Sequence, residues 1–379
     1  MSDRYIENDF SVLRTVSNSE QHLTKCLTEL VTSYPPKAAW TEDELGGLML
    51  GPTGTAYLFL HISRSHPTLI IANKSPLEWG REYLAGDRSD NPIESVTDEN
   101  CGMACDYLAH LAISAAYSKD LKYVREFLAL VPKLLTDGSG WWDWCYGRAG
   151  TLYYLRLIRS WVPEAGDLVK EAITQLCELL LRNGDPWIYR GREVYGIGHG
   201  HLGIIAQIVL SDASYAPQLE KRLVRLLDLQ LDDGNWPKEV ADTNQPGILV
   251  QLCHGAPGFV VCLLSLREYF PALKERIDEA VIKGREVTWK RGLLKKTPNI
   301  CHGINGNALV FPPGERRDHF MSFVTEEGIQ KGADEGWWDA KGNADYGFPD
   351  SLMFGLGGRA WSWAVKDQED KTYVAFDDL

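Results

Sequence analysis

The sequence predicts an all-α protein, an α/α toroid in which seven inner and seven outer helices form a double ring. Three observations lead to this fold class: a Gly-x-x-Gly turn followed by an apolar run recurs about every fifty residues, each period contains an amphipathic helical pattern, and strand signals are few. Helical hairpins of this kind cannot bury their apolar faces alone, so they stack. The first and last copies are as apolar as the middle ones, which favours a closed ring over an open solenoid.

The glycine turns define seven copies in register. Six of them read GPTG, GRAG, GHLG, GAPG, GING and GLGG and begin at residues 51, 147, 200, 255, 303 and 355. In the remaining copy, GMAC at residue 102, Cys105 replaces the second glycine but the apolar run follows as elsewhere. The steps between first glycines are 51, 45, 53, 55, 48 and 52 residues, and this regularity identifies a repeat. We therefore expect one domain over residues 1–379, with an N-terminal arm and the first outer helix in residues 1–40.

Each copy begins with an amphipathic outer helix. In residues 168–184 apolar side chains recur at helical spacing, and the segment closes with Asn183-Gly184, a common helix stop. The same pattern runs from Leu219 to Gly234. A loop rich in Gly, Asp and Trp then leads to the glycine turn and a more apolar inner helix. The glycines let the starts of the inner helices crowd together at one rim.

Composition and charge restrict the function. The hydrophobic fraction of 44% is enough for a large core, and the longest apolar runs are too short to cross a membrane. A net charge of −13 without a basic stripe argues against nucleic-acid binding. The polar start, MSDRYIENDF, has no signal-peptide pattern, so we expect a cytoplasmic protein with reduced thiols. The Trp-rich segments GWWDW (140–144) and GWWDA (336–340) are expected to pack rather than to bind sugars.

Two of the turns carry Cys-His-Gly, in QLCHGAPGF and NICHGINGN. Chance predicts roughly 0.02 occurrences in a chain of this composition, so the pair is a signal. Cys253 and Cys301 each lie two residues before the first glycine of their turns, so adjacent copies bring the thiols together near the ring axis. With one imidazole they form a Cys/Cys/His set that suits a catalytic zinc with an open fourth position. Spacing alone leaves open whether His254 or His302 is the third ligand.

Two further side chains are expected at the same rim. His199 lies one residue before Gly200 and is the candidate general acid or base. Asp143 lies four residues before Gly147 and is a further candidate for this mouth. Cys145 is interpreted as a core residue.

These residues resemble the lanthionine synthetase C-like family, in its eukaryotic branch. The resemblance extends over essentially the whole chain and is carried by YGRAG, GHGHLGI, GNWP, LCHGAPG, GLLKK followed by ICHGINGNA, and AFDDL. It implies an α/α toroid with one zinc held by Cys253, Cys301 and His302. It also implies that His199 is the catalytic histidine and that Asp143 matches an aspartate of the bacterial cyclases.

The resemblance implies glutathione as the thiol cosubstrate. Eukaryotic members bind glutathione and add it to dehydroalanine or dehydrobutyrine residues of peptides or proteins. Arg4 and Lys296 match the positions that contact the glutathione carboxylates, and His254, beside the metal, would orient a substrate. The chain departs from the family pattern at three positions. Leu249 replaces an Arg of the bacterial cyclases, Leu252 replaces a Trp, and Ala344 replaces a further Arg.

The predicted site activates a thiol. A zinc bound by two thiolates and one neutral imidazole carries no net positive charge, so a thiol that binds there is deprotonated yet stays nucleophilic. It would attack the β-carbon of the dehydroamino acid, His199 would protonate the α-carbon, and Asp143 would assist with the enolate.

Four other functions are compatible with parts of this pattern. One is a zinc- and glutathione-binding sensor or scaffold without turnover, and another is a thioether cyclase or tailoring enzyme for a dedicated peptide. A zinc-dependent prenyl transferase normally has a carboxylate ligand, and none adjoins either Cys-His-Gly motif. A glycoside hydrolase would need two carboxylates across the mouth and no metal.

Overall fold

The computed structural model describes residues 4–8, 11–89, 92–138, 140–242, 247–338, 348–370 and 372–379. Regular secondary structure in these residues is helical, and β-pairing is limited to isolated bridges. Seven helices follow the glycine turns and are called turn helices here: α2 (Gly51–Ser65), α4 (Asp106–Ser118), α6 (Arg148–Trp161), α8 (His201–Ser211), α10 (Ala256–Leu266), α12 (Ile304–Ala308) and α15 (Leu356–Val365).

The helices between the turn helices belong to the predicted outer set. They are α1 (Ser19–Ser33), α3 (Pro76–Ala85), α5 (Leu121–Leu134), α7 (Gly166–Asn183), α9 (Ala216–Asp228), α11 (Lys274–Arg291), α13 (Glu315–Met321) and α14 (Glu326–Asp334). In α7 the buried side chains keep to one face, whereas in α8 nearly every residue is buried. This contrast is the one predicted between outer and inner helices.

The chain forms two compact units. The first comprises residues 1–90 and 285–373, and the second comprises residues 91–284 and 374–379, so the boundary falls within α11. The single-domain organisation stays a prediction. Ala344, which stands where the family pattern has an Arg, lies outside the described residues.

The second glycine of the turn is required by a close approach of the backbone. In six copies a Cβ atom on this glycine would lie closer than 3.0 Å to the carbonyl oxygen of the residue six positions earlier. The pairs are Gly54 and Leu48, Gly150 and Trp144, Gly203 and Ile197, Gly258 and Leu252, Gly306 and Ile300, and Gly358 and Leu352. In the copy with Cys105, the turn helix begins only after that cysteine, at Asp106.

Neighbouring glycine turns are joined by backbone hydrogen bonds within each unit. In the second unit the N–H of Cys145 donates to the carbonyl of Gly198 (3.3 Å), and α4, α6, α8 and α10 pack in sequence order. In the first unit the N–H of Met353 donates to the carbonyl of Met49 (3.2 Å), and α15 packs against α1 and α2. The seventh copy therefore contacts the first, as the prediction of a closed ring requires.

Three of the five tryptophans in the two Trp-rich segments are buried, as predicted. They are Trp142, Trp144 and Trp338, and the indole N–H of Trp338 donates to the carbonyl of Ile329 (3.0 Å). Trp141 and Trp337 are half-buried. Asp339 and Ala340 of the second segment lie outside the described residues.

Candidate active site

His199 and Asp143 form a hydrogen-bonded pair in the second unit. Nδ1 of His199 lies 3.0 Å from Oδ1 of Asp143, which is only 2% exposed. The same oxygen accepts the backbone N–H groups of Cys145 (2.9 Å) and Tyr146 (3.1 Å). Because Oδ1 already acts as the acceptor of two backbone N–H groups, Nδ1 is the donor to it and Nε2 is left for another partner. Each residue precedes a turn helix, α6 or α8, and the neighbouring turns bring them together.

Two tyrosines, which sequence reasoning missed, fix the plane of the imidazole. The ring of Tyr189 is stacked on His199 with a centroid distance of 4.0 Å and an interplanar angle of 10°. The ring of Tyr146 is also parallel to the imidazole, at 5.8 Å and 3°. Burial raises the pKa of Tyr189, and the charge of Asp143 raises it further. The hydroxyl of Tyr189 therefore stays protonated, and the residue contacts His199 through the face of its ring.

Cys145 adjoins this pair. Its Sγ atom, a carboxylate oxygen of Asp143 and a ring nitrogen of His199 all lie within 4.8 Å of one another, so this group can hold a metal ion by donor type. Burial raises the pKa of the Cys145 thiol well above its ordinary value, and Asp143 and Cys253 raise it further. A metal needs the thiolate, which these surroundings disfavour. Cys145 is buried in the core, as predicted.

Cys253, from the first Cys-His-Gly motif, lies near this pair in the second unit. A Cβ atom on Gly198, one residue before His199, would be 3.6 Å from Sγ of Cys145 and 3.9 Å from Cβ of Cys253. The side-chain amide of Gln251 donates to Sγ of Cys253 at 3.1 Å. This hydrogen bond fixes the position of the Cys253 sulfur.

His254 is half-buried beside His199. Its Nδ1 atom is fully buried and has no hydrogen-bond partner in the described part of the chain. Desolvation lowers the pKa of His254, and the neighbouring His199 and Lys238 lower it further against the opposing effect of Cys253. The ring is therefore neutral at physiological pH.

A cavity of about 290 Å³ opens in front of His199. Two histidines, one tyrosine, one valine and three cationic side chains line it: His199, His254, Tyr189, Val194, Arg190, Arg192 and Lys238. The basic residues and Tyr189 were not recognised in the sequence. They come from a tight turn at residues 189–192 and from the segment after Trp236, neither of which is a copy of the glycine turn.

The second Cys-His-Gly motif lies in the first unit. Cys301 and His302 are 8% and 4% exposed. The N–H of Cys301 donates to the carbonyl of Met353 (3.1 Å), and the N–H of His302 donates to Oδ1 of Asn299 (2.8 Å). The His302 ring lies 5.5 Å from the ring of Phe354.

Arg4 and Lys296 lie on paired segments of the first unit. Tyr5 and Leu294 form an antiparallel bridge, and the N–H of Lys295 donates to the carbonyl of Arg4 (3.0 Å). The side chain of Arg4 is exposed and that of Lys296 is half-buried. The two residues that are predicted to contact glutathione therefore lie on adjacent, hydrogen-bonded segments of the chain. The predicted zinc set takes one ligand from the second unit and two from the first, and it stays a prediction.

Two asparagines, also missed, hold the loops of the Cys-His-Gly motifs. Asn235, in the GNWP run, donates from Nδ2 to the carbonyls of Gly247 (3.0 Å) and Leu249 (2.9 Å). Its Oδ1 accepts the N–H of Ala256, the first residue of α10 (2.7 Å). Asn299 serves the second motif by accepting from His302. Glycines, Gly255 and Gly303, directly precede α10 and α12, so the usual N-cap pattern of the sequence does not identify either asparagine.

The sequence and the fold of this chain are similar to those of known proteins. A family model described as lanthionine synthetase C-like protein matches residues 101–313. The glutathione S-transferase LANCL1 of Danio rerio is 26% identical over 289 residues, which cover 69% of this chain and 67% of that protein. The LanC-like protein GCL1 of Arabidopsis thaliana is 30% identical over 219 residues, half of this chain and 48% of its relative. Among solved structures, nisin cyclase has a TM-score of 0.55 at 15% identity, with 95% of this chain and 96% of that chain covered.

The described chain consists of helical hairpins, and their glycine turns carry the His, Asp and Cys side chains of the site. The fold shared with nisin cyclase confirms the predicted fold class, an α/α toroid. Since the family model covers more than half of the chain, the chain belongs to the lanthionine synthetase C-like family. No described helix combines the length and apolar character that a membrane span needs.

Proposed function

We propose that the protein adds glutathione, with the help of zinc, to dehydroalanine or dehydrobutyrine residues of peptides or proteins. One observation carries the proposal: in a chain of this family, His199 is bonded to a buried Asp143 and lines a cavity. The names of two similar proteins, a glutathione S-transferase and nisin cyclase, support a reaction of this class.

We propose Cys253, Cys301 and His302 as the ligands of one zinc ion per chain. Two thiols and an imidazole are donors that zinc prefers, and the hydrogen bond from the amide of Gln251 holds Sγ of Cys253 in place. Zinc held by these residues would lower the pKa of a thiol that binds to it, so that the thiol would be deprotonated near neutral pH and still nucleophilic.

His199 supplies the proton that completes the addition. When the sulfur forms a bond to the β-carbon, the C=C π electrons move to the α-carbon and its carbonyl, and the resulting enolate must take one proton at the α-carbon. Nε2 of a protonated His199 delivers it, and Asp143 stabilises the imidazolium through Nδ1. The ring then regains a proton from the solvent, which receives the thiol proton, so that protons balance over one turnover.

The remaining predicted site residues position the substrates. Arg4 and Lys296 hold the carboxylates of glutathione, since both are cationic and lie on paired segments. His254, whose ring lines the same cavity, orients the acceptor beside His199.

Metal content and adduct formation test this function. Zinc is measured by elemental analysis in the wild type and in Cys301→Ala, with Cys26→Ala as the matched cysteine control on α1. Glutathione addition to a dehydroalanine peptide is followed by mass spectrometry in the wild type and in His199→Ala. We expect one zinc per chain, lost only in Cys301→Ala, and an adduct that disappears in His199→Ala although zinc is retained.

The other outcomes separate the alternatives. Zinc without any adduct would favour a zinc- and glutathione-binding scaffold. A chain without zinc, or an adduct rate that His199→Ala leaves unchanged, would contradict the proposal.

A further inference from the structure

A basic wall lies beside the proton donor in a chain whose net charge is −13. It consists of Arg190, Arg192 and Lys238, all of which line the cavity in front of His199. The backbone fixes both segments that carry them. Tyr189 and Arg192 exchange two hydrogen bonds (2.9 and 3.0 Å), and the N–H of Tyr195 donates to the carbonyl of Lys238 (3.0 Å).

The carboxylates around this wall do not neutralise it. Glu239 is shared between Arg192 (3.4 Å) and Lys238 (4.0 Å). Arg190 makes no ion pair with a carboxylate of the described residues, and its guanidinium lies instead over the rings of Trp141 (5.1 Å) and Tyr189 (5.4 Å). Glu239 is the one carboxylate of the described residues that lies within 4.0 Å of these three cations, so the wall keeps an excess of positive charge.

His254 also lines the cavity, but its Nδ1 atom is fully buried and faces Gly196, where a Cβ atom would lie 3.4 Å from this nitrogen. The positive charge of the wall is therefore what a ligand in the cavity would meet.

The position of the wall identifies which substrate it meets. Arg4 and Lys296 are already proposed to hold the carboxylates of glutathione. His199, by contrast, must approach the α-carbon of the acceptor, so groups that share its cavity meet the acceptor peptide. Guanidinium groups bind carboxylates and phosphates through paired hydrogen bonds, which favours an anionic partner.

We infer that the basic wall selects acceptor peptides in which acidic or phosphorylated residues flank the dehydroamino acid. This inference rests on the proposed function and adds the substrate class to it. The contacts are part-exposed ionic ones, so they raise affinity most at low salt.

Matched peptides test the preference. Three dehydroalanine peptides differ only in the two flanking residues, which are Glu, Gln or Lys, and a fourth carries phosphoserine. For the wild type we expect kcat/KM for glutathione addition to be about tenfold higher with Glu than with Gln flanks, and lowest with Lys. In Arg190→Gln and in Lys238→Gln the ratio of Glu to Gln peptides falls towards one. The control Lys170→Gln removes the same charge from the exposed face of α7 and keeps the ratio.

A binding assay keeps this test separate from that of the proposed function. Fluorescently labelled peptides with serine in place of dehydroalanine cannot react, and their affinity is measured by anisotropy at two salt concentrations. Tighter binding of the acidic or phosphorylated peptide, weakened by Arg190→Gln and by salt, supports the inference even if no peptide is turned over. Turnover of all peptides at equal kcat/KM, or a preference that survives Arg190→Gln, overturns it and leaves the proposed function intact.

Discussion

The imidazole of His199 is held by two different forces. A hydrogen bond to Asp143 fixes which nitrogen faces the protein, and stacking on Tyr189 at 4.0 Å fixes the plane of the ring. Together they leave Nε2 as the nitrogen that can transfer a proton, and they fix the direction in which this nitrogen points. The carboxylate of Asp143 is itself held by the backbone N–H groups of Cys145 and Tyr146.

The substitution Asp143→Asn tests this interaction. The amide of this variant would lack the negative charge that stabilises the imidazolium, and it could donate to Nδ1 and favour the wrong tautomer. We expect kcat for glutathione addition to fall about 10²- to 10⁴-fold with zinc content unchanged. Initial rates and elemental analysis measure both quantities. Asp137→Asn, which removes an exposed carboxylate paired with Arg182, is the control, and a rate for Asp143→Asn within twofold of the wild type would contradict the role.

The sequence could predict the Asp143 and His199 pair but not its surroundings. Both residues precede a glycine turn, so their position within the repeat is enough to place them at the same end of their hairpins. Tyr189 and the basic wall come from loops that are not repeated, and no register applies to them. His201 lies only two residues from His199, yet it is buried at the start of α8 and lines no part of the cavity.

The glycine turn is the element on which each repeat depends. Its second glycine lies in contact with the carbonyl six residues earlier, so the loop folds tightly against the first turn of the following helix. This contact explains why the spacing within the motif is constant while the loops before it vary in length. It also explains why α4, where Cys105 replaces glycine, starts three residues later relative to its motif.

A pair of glycine substitutions tests the contact. In Gly203→Ala the new Cβ would overlap the carbonyl oxygen of Ile197, so we expect the free energy of unfolding to fall by about 1–3 kcal/mol. Gly166, at the start of α7, has φ −52° and no atom within 4 Å of a Cβ, so Gly166→Ala should raise stability by about 0.4–1 kcal/mol. Urea unfolding of both variants measures the difference. Equal urea midpoints for the two variants would show that the close approach of the Ile197 carbonyl does not require glycine at position 203.

Other details of the elements depend on local sequence that the repeat pattern does not describe. The turn helix α12 has only five residues, because Pro312 and Pro313 follow it and cannot continue a helix. The predicted seventh outer helix is split into α13 and α14 by a 3₁₀ segment, Ser322–Val324. Seven hairpins were thus predictable from periodicity, and their lengths were not.

Over the whole molecule, the net charge is acidic but the interior of each unit contains a histidine that must stay neutral. In the first unit, Nδ1 of His319 accepts the N–H of Arg14 (3.1 Å), and Nε2 lies 2.8 Å from Oδ1 of Asn8. Burial, together with the smaller effect of the charge of Arg14, lowers the pKa of His319 to about 4. A proton on Nδ1 would remove the acceptor that Arg14 needs. No sequence pattern predicts this contact, since its partners are about 300 residues apart.

The second unit contains a similar group. Burial and, to a smaller extent, the charges of Arg225 and Arg222 lower the pKa of His201 to about 4, against the opposing effects of a backbone hydrogen bond at Trp187 and the charge of Asp185. Glu193, 3.6 Å from Nε2 of His201, is paired with Arg225. The imidazole is therefore buried in its neutral form.

These two histidines make the stability of the protein depend on pH in a defined direction. Each has a pKa near 4 when folded and about 6.5 when unfolded, so between these values only the unfolded chain takes up the proton. The stabilisation is fully present above pH 6.5 and is lost as the pH falls towards 4, with an upper limit of about 3 kcal/mol for each histidine. We expect the thermal midpoint to fall between pH 6.5 and pH 5, above the range in which most carboxylates titrate. In His201→Gln and His319→Gln this slope should be shallower than in the wild type, whatever the change in absolute stability. A slope that neither variant alters would mean that other groups control the acid response.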